Sequence, residues 1–216
     1  MKARVHNVLS YSFALIVFVL MIGWRMQVQG SSLSLNAKLG ALLWCAHFLR
    51  RTLESAFVHR YSKPRILPGD YLTEYIYYWG FGTWIAWSLA ATTHHAPAFA
   101  QQIAGLAVFV LAEAGNARAH WMLRNLRAAR TSEKSIPRGF LFEWISCPHY
   151  LCEILSWVGF NLLTQTIAGA LFMLVGAGIL GAWAHTRHVA YKKAFTGEAG
   201  SELYPVRRRA LLPCLF

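Results

Sequence analysis

The stretch RGFLFEWISCPHYLCE, residues 138–153, joins a basic segment to a long apolar block and carries Glu143, Pro148, His149, Tyr150 and Glu153 in close succession. Ionisable groups this near a membrane-type segment are expensive to keep, so they mark a candidate working centre. An interfacial turn, with aromatics and charges at headgroup level, is the structural alternative.

Outward from this stretch, the chain is dominated by apolar runs. Of 216 residues, 56% are hydrophobic and 14% are charged, too little polar surface to coat a water-soluble globule. The runs fall at residues 9–24, 35–49, 71–91, 99–116, 151–166 and 168–184. With their flanks they approach the ~20 residues that cross a hydrocarbon core. The expected fold is all-α, a polytopic membrane helical bundle of about six transmembrane helices. It is expected to form a single membrane domain, with a first hairpin over 1–50, a core over 51–184 and a basic tail over 185–216. Residues 1–25 are read as a helix rather than a cleaved signal, because the run ends in Trp24-Arg25-Met26 without a small-residue cleavage pattern.

The net charge of +12 is distributed unevenly. Lys and Arg concentrate in residues 50–65, in 118–138 and after 186, and are absent from 92–98 and from the turn near 166. Alternate sides are therefore basic, which predicts that both termini and the two basic loops face the cytosol or the matrix of an organelle. Anionic headgroups account for the excess charge, and no nucleic-acid partner is expected. Cys45, Cys147, Cys152 and Cys214 form no CxxC pair and are read as reduced packing residues. His94-His95 and His185 with His188 lack the further ligands of a zinc site, so no metal is expected. The GAGILG of residues 176–181 spells the dinucleotide fingerprint, but without a preceding strand it reads as small-residue helix packing.

Four segments carry the chemistry. In residues 45–61, His47, Arg50, Arg51 and Glu54 recur at three- and four-residue spacing on one helical face, either snorkelling at a helix end or forming a phosphate-binding fork. Residues 71–87 hold Tyr71, Tyr75, Tyr77, Tyr78, Trp79, Phe81, Trp84 and Trp87, a density typical of an interface belt or packed core and also suited to walling an acyl ligand. In residues 113–127, Glu113, Asn116, His120, Arg124 and Arg127 line one helical face that starts too deep in the apolar block for snorkelling. Residues 185–213 are basic and aromatic, which reads as an amphipathic tail on a leaflet surface.

These segments, HFLRRTLESAFVHRYS (47–62), YYWGFGTW (77–84), GNARAHWMLRNLR (115–127), SCPHYLCEILSWVGF (146–160) and residues 188–213, together resemble the steroid 5-alpha-reductase superfamily. Within it the sequence is similar to the very-long-chain trans-2-enoyl-CoA reductases. The resemblance implies NADPH held by the cytosolic halves of the helices and their loops. An oxidoreductase of this kind would saturate the C2–C3 double bond of a long-chain trans-2-enoyl-CoA, or a related lipid enone, in fatty-acid elongation. Arg51, Arg60, Asn116, Arg118, Arg124, Arg127, Glu153, His188, Tyr191, Tyr204 and Arg208 would bind the cofactor. Tyr150 would be the catalytic donor, with His120 second. The setting implied is the endoplasmic reticulum, with the mitochondrial inner membrane as alternative, and the partners are membrane lipids and an acyl-CoA or lipid substrate.

The sequence also departs from the pattern. The early-helix glutamate of relatives has no counterpart in Leu9-Ser10-Tyr11-Ser12, Phe48 stands where relatives have tyrosine, and His149 replaces the asparagine of the cysteine-proline-asparagine-tyrosine motif. Relatives of this branch are expected to carry an N-terminal ubiquitin-like domain and further membrane sequence. Extra residues between Phe195 and Tyr204 are expected to separate two halves of a cofactor clamp. The alternative is therefore a catalytically inactive, reductase-derived accessory subunit of an organellar complex, with other membrane subunits as partners, binding lipid or nucleotide.

Overall fold

Runs of Leu, Val, Phe and Ala without internal proline should persist as helices, with prolines confined to their ends. The computed structural model bears this out. It describes residues 1–30, 32–61, 68–91, 95–128, 135–198 and 202–212; the side chains at 68, 70, 71, 127 and 128 lie outside that description. So do Thr92–His94, Lys63, Arg65, Cys214 and the side chains of Tyr71 and Arg127, which the sequence reading used.

The described residues are all-helical, without strands. Helix α1 spans Ala3–Gln29 and α2 spans Leu35–Leu53, followed by a π turn at Glu54–Val58. Helix α3 (Pro68–Tyr75) continues through a second π turn, Ile76–Gly80, into α4 (Phe81–Leu89). Then come α5 (Phe99–Ala128), a 3-10 turn at Phe140–Glu143, α6 (Pro148–Thr164) and α7 (Ile167–Ala194). Pro68 and Pro148 occupy first helical positions, where a missing N–H costs nothing. Six helical runs stand where six were expected. By length and composition, though, only α1 and α7 among the described residues are suited to cross a membrane. Helix α6 has 17 residues, and Gln101, Gln102, Glu113 and Asn116 lower the apolar character of α5.

The chain divides into two units, residues 1–109 with 157–173, and residues 110–156 with 174–216. The first has an inside-out pattern. Along α1 the buried stripe is Ala3, His6, Ser10, Tyr11, Ala14, Phe18 and Ile22, whereas Val5, Leu9, Phe13, Ile16, Val19, Leu20 and Val28 are exposed. An apolar exterior around a polar and aromatic interior is what a lipid solvent selects. Inside, Trp44 is fully buried and packs on Phe18 (ring centroids 5.1 Å), Phe48 (4.6 Å), Trp157 (5.4 Å) and Phe172 (5.4 Å). The aromatic run contributes Tyr77, Tyr78, Trp79 and Phe81 to this core, and the Tyr77 hydroxyl donates to the Phe172 carbonyl at 2.6 Å. Trp84 and Trp87 stay exposed, with the Arg25 guanidinium 3.6 Å above the Trp87 ring, so the run serves as both core and belt.

Close helix approach in this unit rests on two glycines. A Cβ at Gly159 would lie 2.5 Å from the Phe109 nitrogen and 2.6 Å from the Gly105 oxygen, both backbone atoms that cannot swing aside. Gly159→Ala is expected to destabilise the chain by about 2 kcal/mol, as overpacking does, read as a lowered thermal midpoint in detergent. Gly178→Ala, at a position with open space, is the control and should leave the midpoint unchanged.

Candidate active site

The second unit gathers most of the expected polar residues. Gly115 lets α5 approach α6, since a Cβ there would sit 2.9 Å from the Cys152 sulfur. The next residue, Asn116, is fully buried, and its Nδ2 donates to the His149 carbonyl (2.7 Å) and to Glu153 Oε2 (3.0 Å). One turn on, the His120 ring lies 5.6 Å from His149, and His149 lies 4.2 Å from Tyr150. The Tyr150 hydroxyl accepts a hydrogen bond from Arg187 Nε at 2.9 Å. Arg187 is absent from the sequence-based site, because on α7 it looked like one more basic residue at a helix end.

The described residues after α7 are not left as a tail on a leaflet surface. Residues 144–147 and 209–210 pair through their backbones: Arg209 N–H donates to the Trp144 carbonyl (2.9 Å), Ser146 N–H to Arg209 (2.8 Å) and Cys147 N–H to Ala210 (3.2 Å). Phe195 and Tyr204 also come together across the residues expected to separate them. Thr196 and Leu203 form an antiparallel bridge, and Tyr204 N–H donates to the Phe195 carbonyl at 3.0 Å. Tyr191 and Tyr204 consequently stack with centroids 5.5 Å apart and planes 7° from parallel.

Ser146 lies at the junction. Its hydroxyl oxygen is 2.6 Å from His188 Nδ1, 2.7 Å from the Tyr204 hydroxyl and 3.0 Å from the Arg209 carbonyl. Arg208 is 1% exposed; Nη1 donates to the Pro137 carbonyl at 3.0 Å, and the guanidinium lies 5.2 Å from the Tyr204 ring centre. Its Nε and Nη2 have no partner among the described residues. A buried guanidinium with two unmatched nitrogens is costly unless an anion meets it, which fits the phosphates of a dinucleotide.

The other expected arginines differ. Arg118 is exposed over the Phe140 ring (4.6 Å), and Arg124 lies over Trp121 (4.6 Å). Arg51 and Arg60 belong to the first unit. Arg51 donates to Glu54 Oε2 (2.8 Å) and to the Tyr11 hydroxyl (3.2 Å), Arg50 donates to Glu54 Oε1 (2.5 Å), and Arg60 is exposed. The first unit also holds a network that periodicity alone does not reveal. Buried His6 sets Nε2 2.7 Å from Glu74 Oε2 and Nδ1 3.2 Å from the Tyr75 hydroxyl, fastening α3 to α1.

The described residues are all-helical, the first unit is apolar outside, and the second holds a buried polar cluster. Residues 77–216 match the 3-oxo-5-alpha-steroid 4-dehydrogenase family, and the chain belongs to it, a family that is membrane-bound. It is 35% identical to the very-long-chain enoyl-CoA reductase of Dictyostelium discoideum over 84% of this chain and 59% of that protein. Against the trans-2,3-enoyl-CoA reductase-like protein of Bos taurus the identity is 32%, covering 78% of this chain and 47% of that one. The 3-oxo-5-alpha-steroid 4-dehydrogenase 2 of Sus scrofa is 29% identical over 81% of this chain and 66% of its own. The chain thus spans about half to two thirds of the length of these relatives.

Burial pushes the Cys147 thiol up to about 12, against a smaller downward pull from Arg187. Because the folded value lies above the ordinary value of 9.0, the stability this thiol contributes is full below pH 9 and is lost as pH rises towards 12. In a variant with the other three cysteines replaced by alanine, Cys147 should react with a maleimide at pH 7.5 at least a hundredfold more slowly than a free thiol. It should reach the free rate in denaturant, as followed by mass spectrometry.

Proposed function

We propose that this chain is an NADPH-dependent reductase that saturates the C2–C3 double bond of a long-chain trans-2-enoyl thioester at a membrane. The observation that carries this reading is the buried Arg208 guanidinium, whose Nε and Nη2 have no partner among the described residues, beside the stacked Tyr191 and Tyr204, in a unit that also holds the Asn116–Glu153 pair and Tyr150. The relatives named enoyl-CoA reductase support the substrate class.

The residues present fit the cofactor. Arg208 would hold a phosphate, Asn116 and Glu153 offer an amide and a carboxylate to polar groups, and the two tyrosines offer a flat apolar face. NADPH supplies a hydride when bound. The protein's own part is to stabilise the negative charge that appears on the thioester oxygen and to place a proton. Tyr150 suits that task, because the Arg187 guanidinium on its oxygen favours the charge the phenol takes on when it gives up its proton. His120, whose ring meets that of His149 at a tilt, stands second in the same row. The alternation of basic and uncharged segments supports a topology of six crossings with both termini on the cytosolic side, in the endoplasmic reticulum on this reading.

The purified protein in detergent should consume NADPH, followed by cofactor absorbance, when given a long-chain trans-2-enoyl-CoA. Tyr150→Phe should lower kcat by about 10²-fold or more with little change in KM for NADPH. Arg208→Ala should raise that KM. An unchanged rate in Tyr150→Phe, or no NADPH consumption by the wild type, removes this assignment.

A further inference from the structure

Ser146 contacts three groups but owns one hydrogen. The Arg209 carbonyl, at 3.0 Å, can only accept, so the hydroxyl hydrogen belongs there; otherwise two oxygens would face each other with nothing between them. The Tyr204 hydroxyl and His188 Nδ1, at 2.7 and 2.6 Å, must then both donate to the serine oxygen. Ser146 is 2% exposed and His188 8% exposed, so water cannot readily substitute for any of these partners. Among the described residues, His188 Nε2 has no hydrogen-bond partner.

We infer that Ser146 is a positioning residue that holds His188 as the neutral Nδ1–H tautomer, so that Nε2 presents a lone pair which takes a hydroxyl or amide N–H of the bound nucleotide rather than a phosphate. The inference rests on the reductase reading for its ligand and on hydrogen counting for its tautomer. The chemistry divides the site. Arg208, with two unmatched nitrogens, takes the anionic part of the ligand, and His188, with a lone pair, takes a donor such as a ribose hydroxyl or carboxamide. The same hydroxyl anchors the 204–209 segment, so the tautomer is set only while that segment is docked.

The test is 15N spectroscopy of the full chain in detergent with labelled histidine, His188 being assigned by loss of its signal in His188→Gln. The expected result at neutral pH is a protonated Nδ1 and an unprotonated Nε2 for His188. Saturating NADPH should then shift the Nε2 resonance. Ser146→Ala should lose the tautomer preference and weaken NADPH binding about tenfold, and Ser146→Thr, which keeps the hydroxyl, should restore both. An Nε2–H tautomer or an imidazolium in the wild type overturns the inference, whatever the nucleotide does. The stated tautomer with NADPH bound but Nε2 unmoved overturns its ligand half. The stated tautomer with no NADPH binding in equilibrium dialysis supports the role of Ser146 and overturns the reductase reading instead.

Discussion

The backbone pairing of residues 144–147 with 209–210 is the constraint on which the second unit depends. Three main-chain hydrogen bonds of 2.8 to 3.2 Å fix the last described segment against the turn that starts α6. In an apolar surrounding an unmade amide bond costs about 1–3 kcal/mol, so these three enforce the register rather than merely allow it. That register carries Tyr204 onto Tyr191, Arg208 into the interior and the Arg209 carbonyl onto Ser146. A slip of one residue would place an exposed neighbour, Arg207 or Arg209, where the buried guanidinium now sits.

The first unit solves a different problem with the same physics. Its exterior is Val, Leu, Ile and Phe, so polar groups turned inward gain from partners there, and several charged ones have them. Glu54 meets two guanidiniums, and His6 meets a carboxylate and a phenol from a different helix. The Trp79 indole N–H reaches the Ser10 carbonyl at 3.1 Å. Each match also fixes how two segments sit, which gives specificity to an aromatic core that apolar packing alone would leave less defined.

The helices were legible because lipid-facing and core-facing side chains are both apolar, and a long apolar run has few alternatives to a helix. Asn116 and His120 were legible as inward-facing because a spacing of four places them on one side of α5, and both are buried, whereas Arg124, one turn on, lies over Trp121. The π turns were not, since nothing in Glu54–Val58 or Ile76–Gly80 departs from ordinary helix composition. Nor was the tail. Its charges read as an amphipathic tail on a leaflet surface, whereas its described part is held by partners about sixty residues earlier, as in the Ser146–Tyr204 and Ser146–Arg209 contacts. The residues between Phe195 and Tyr204 looked like a spacer because linear distance says nothing about whether a loop closes, and the entropy of closing a short loop is small. Ser146 drew no notice as a small polar residue in a motif dominated by its neighbours.

The arginines show why counting positive charges misleads about where an anion goes. Arg50 and Arg51 share the two oxygens of Glu54, so a phosphate arriving there would compete with a carboxylate already in place. Arg118 and Arg124 lie over aromatic rings near water, where an ion pair is worth at most about 1 kcal/mol. Arg208 has a carbonyl and a ring but no carboxylate, and it is almost wholly removed from solvent. At an effective dielectric near 20, two unit charges 4 Å apart attract by about 4 kcal/mol, and here that attraction has no competitor among the described residues. Among the described basic residues, the one with the least exposed charge is therefore the one that best supports the proposed anionic ligand.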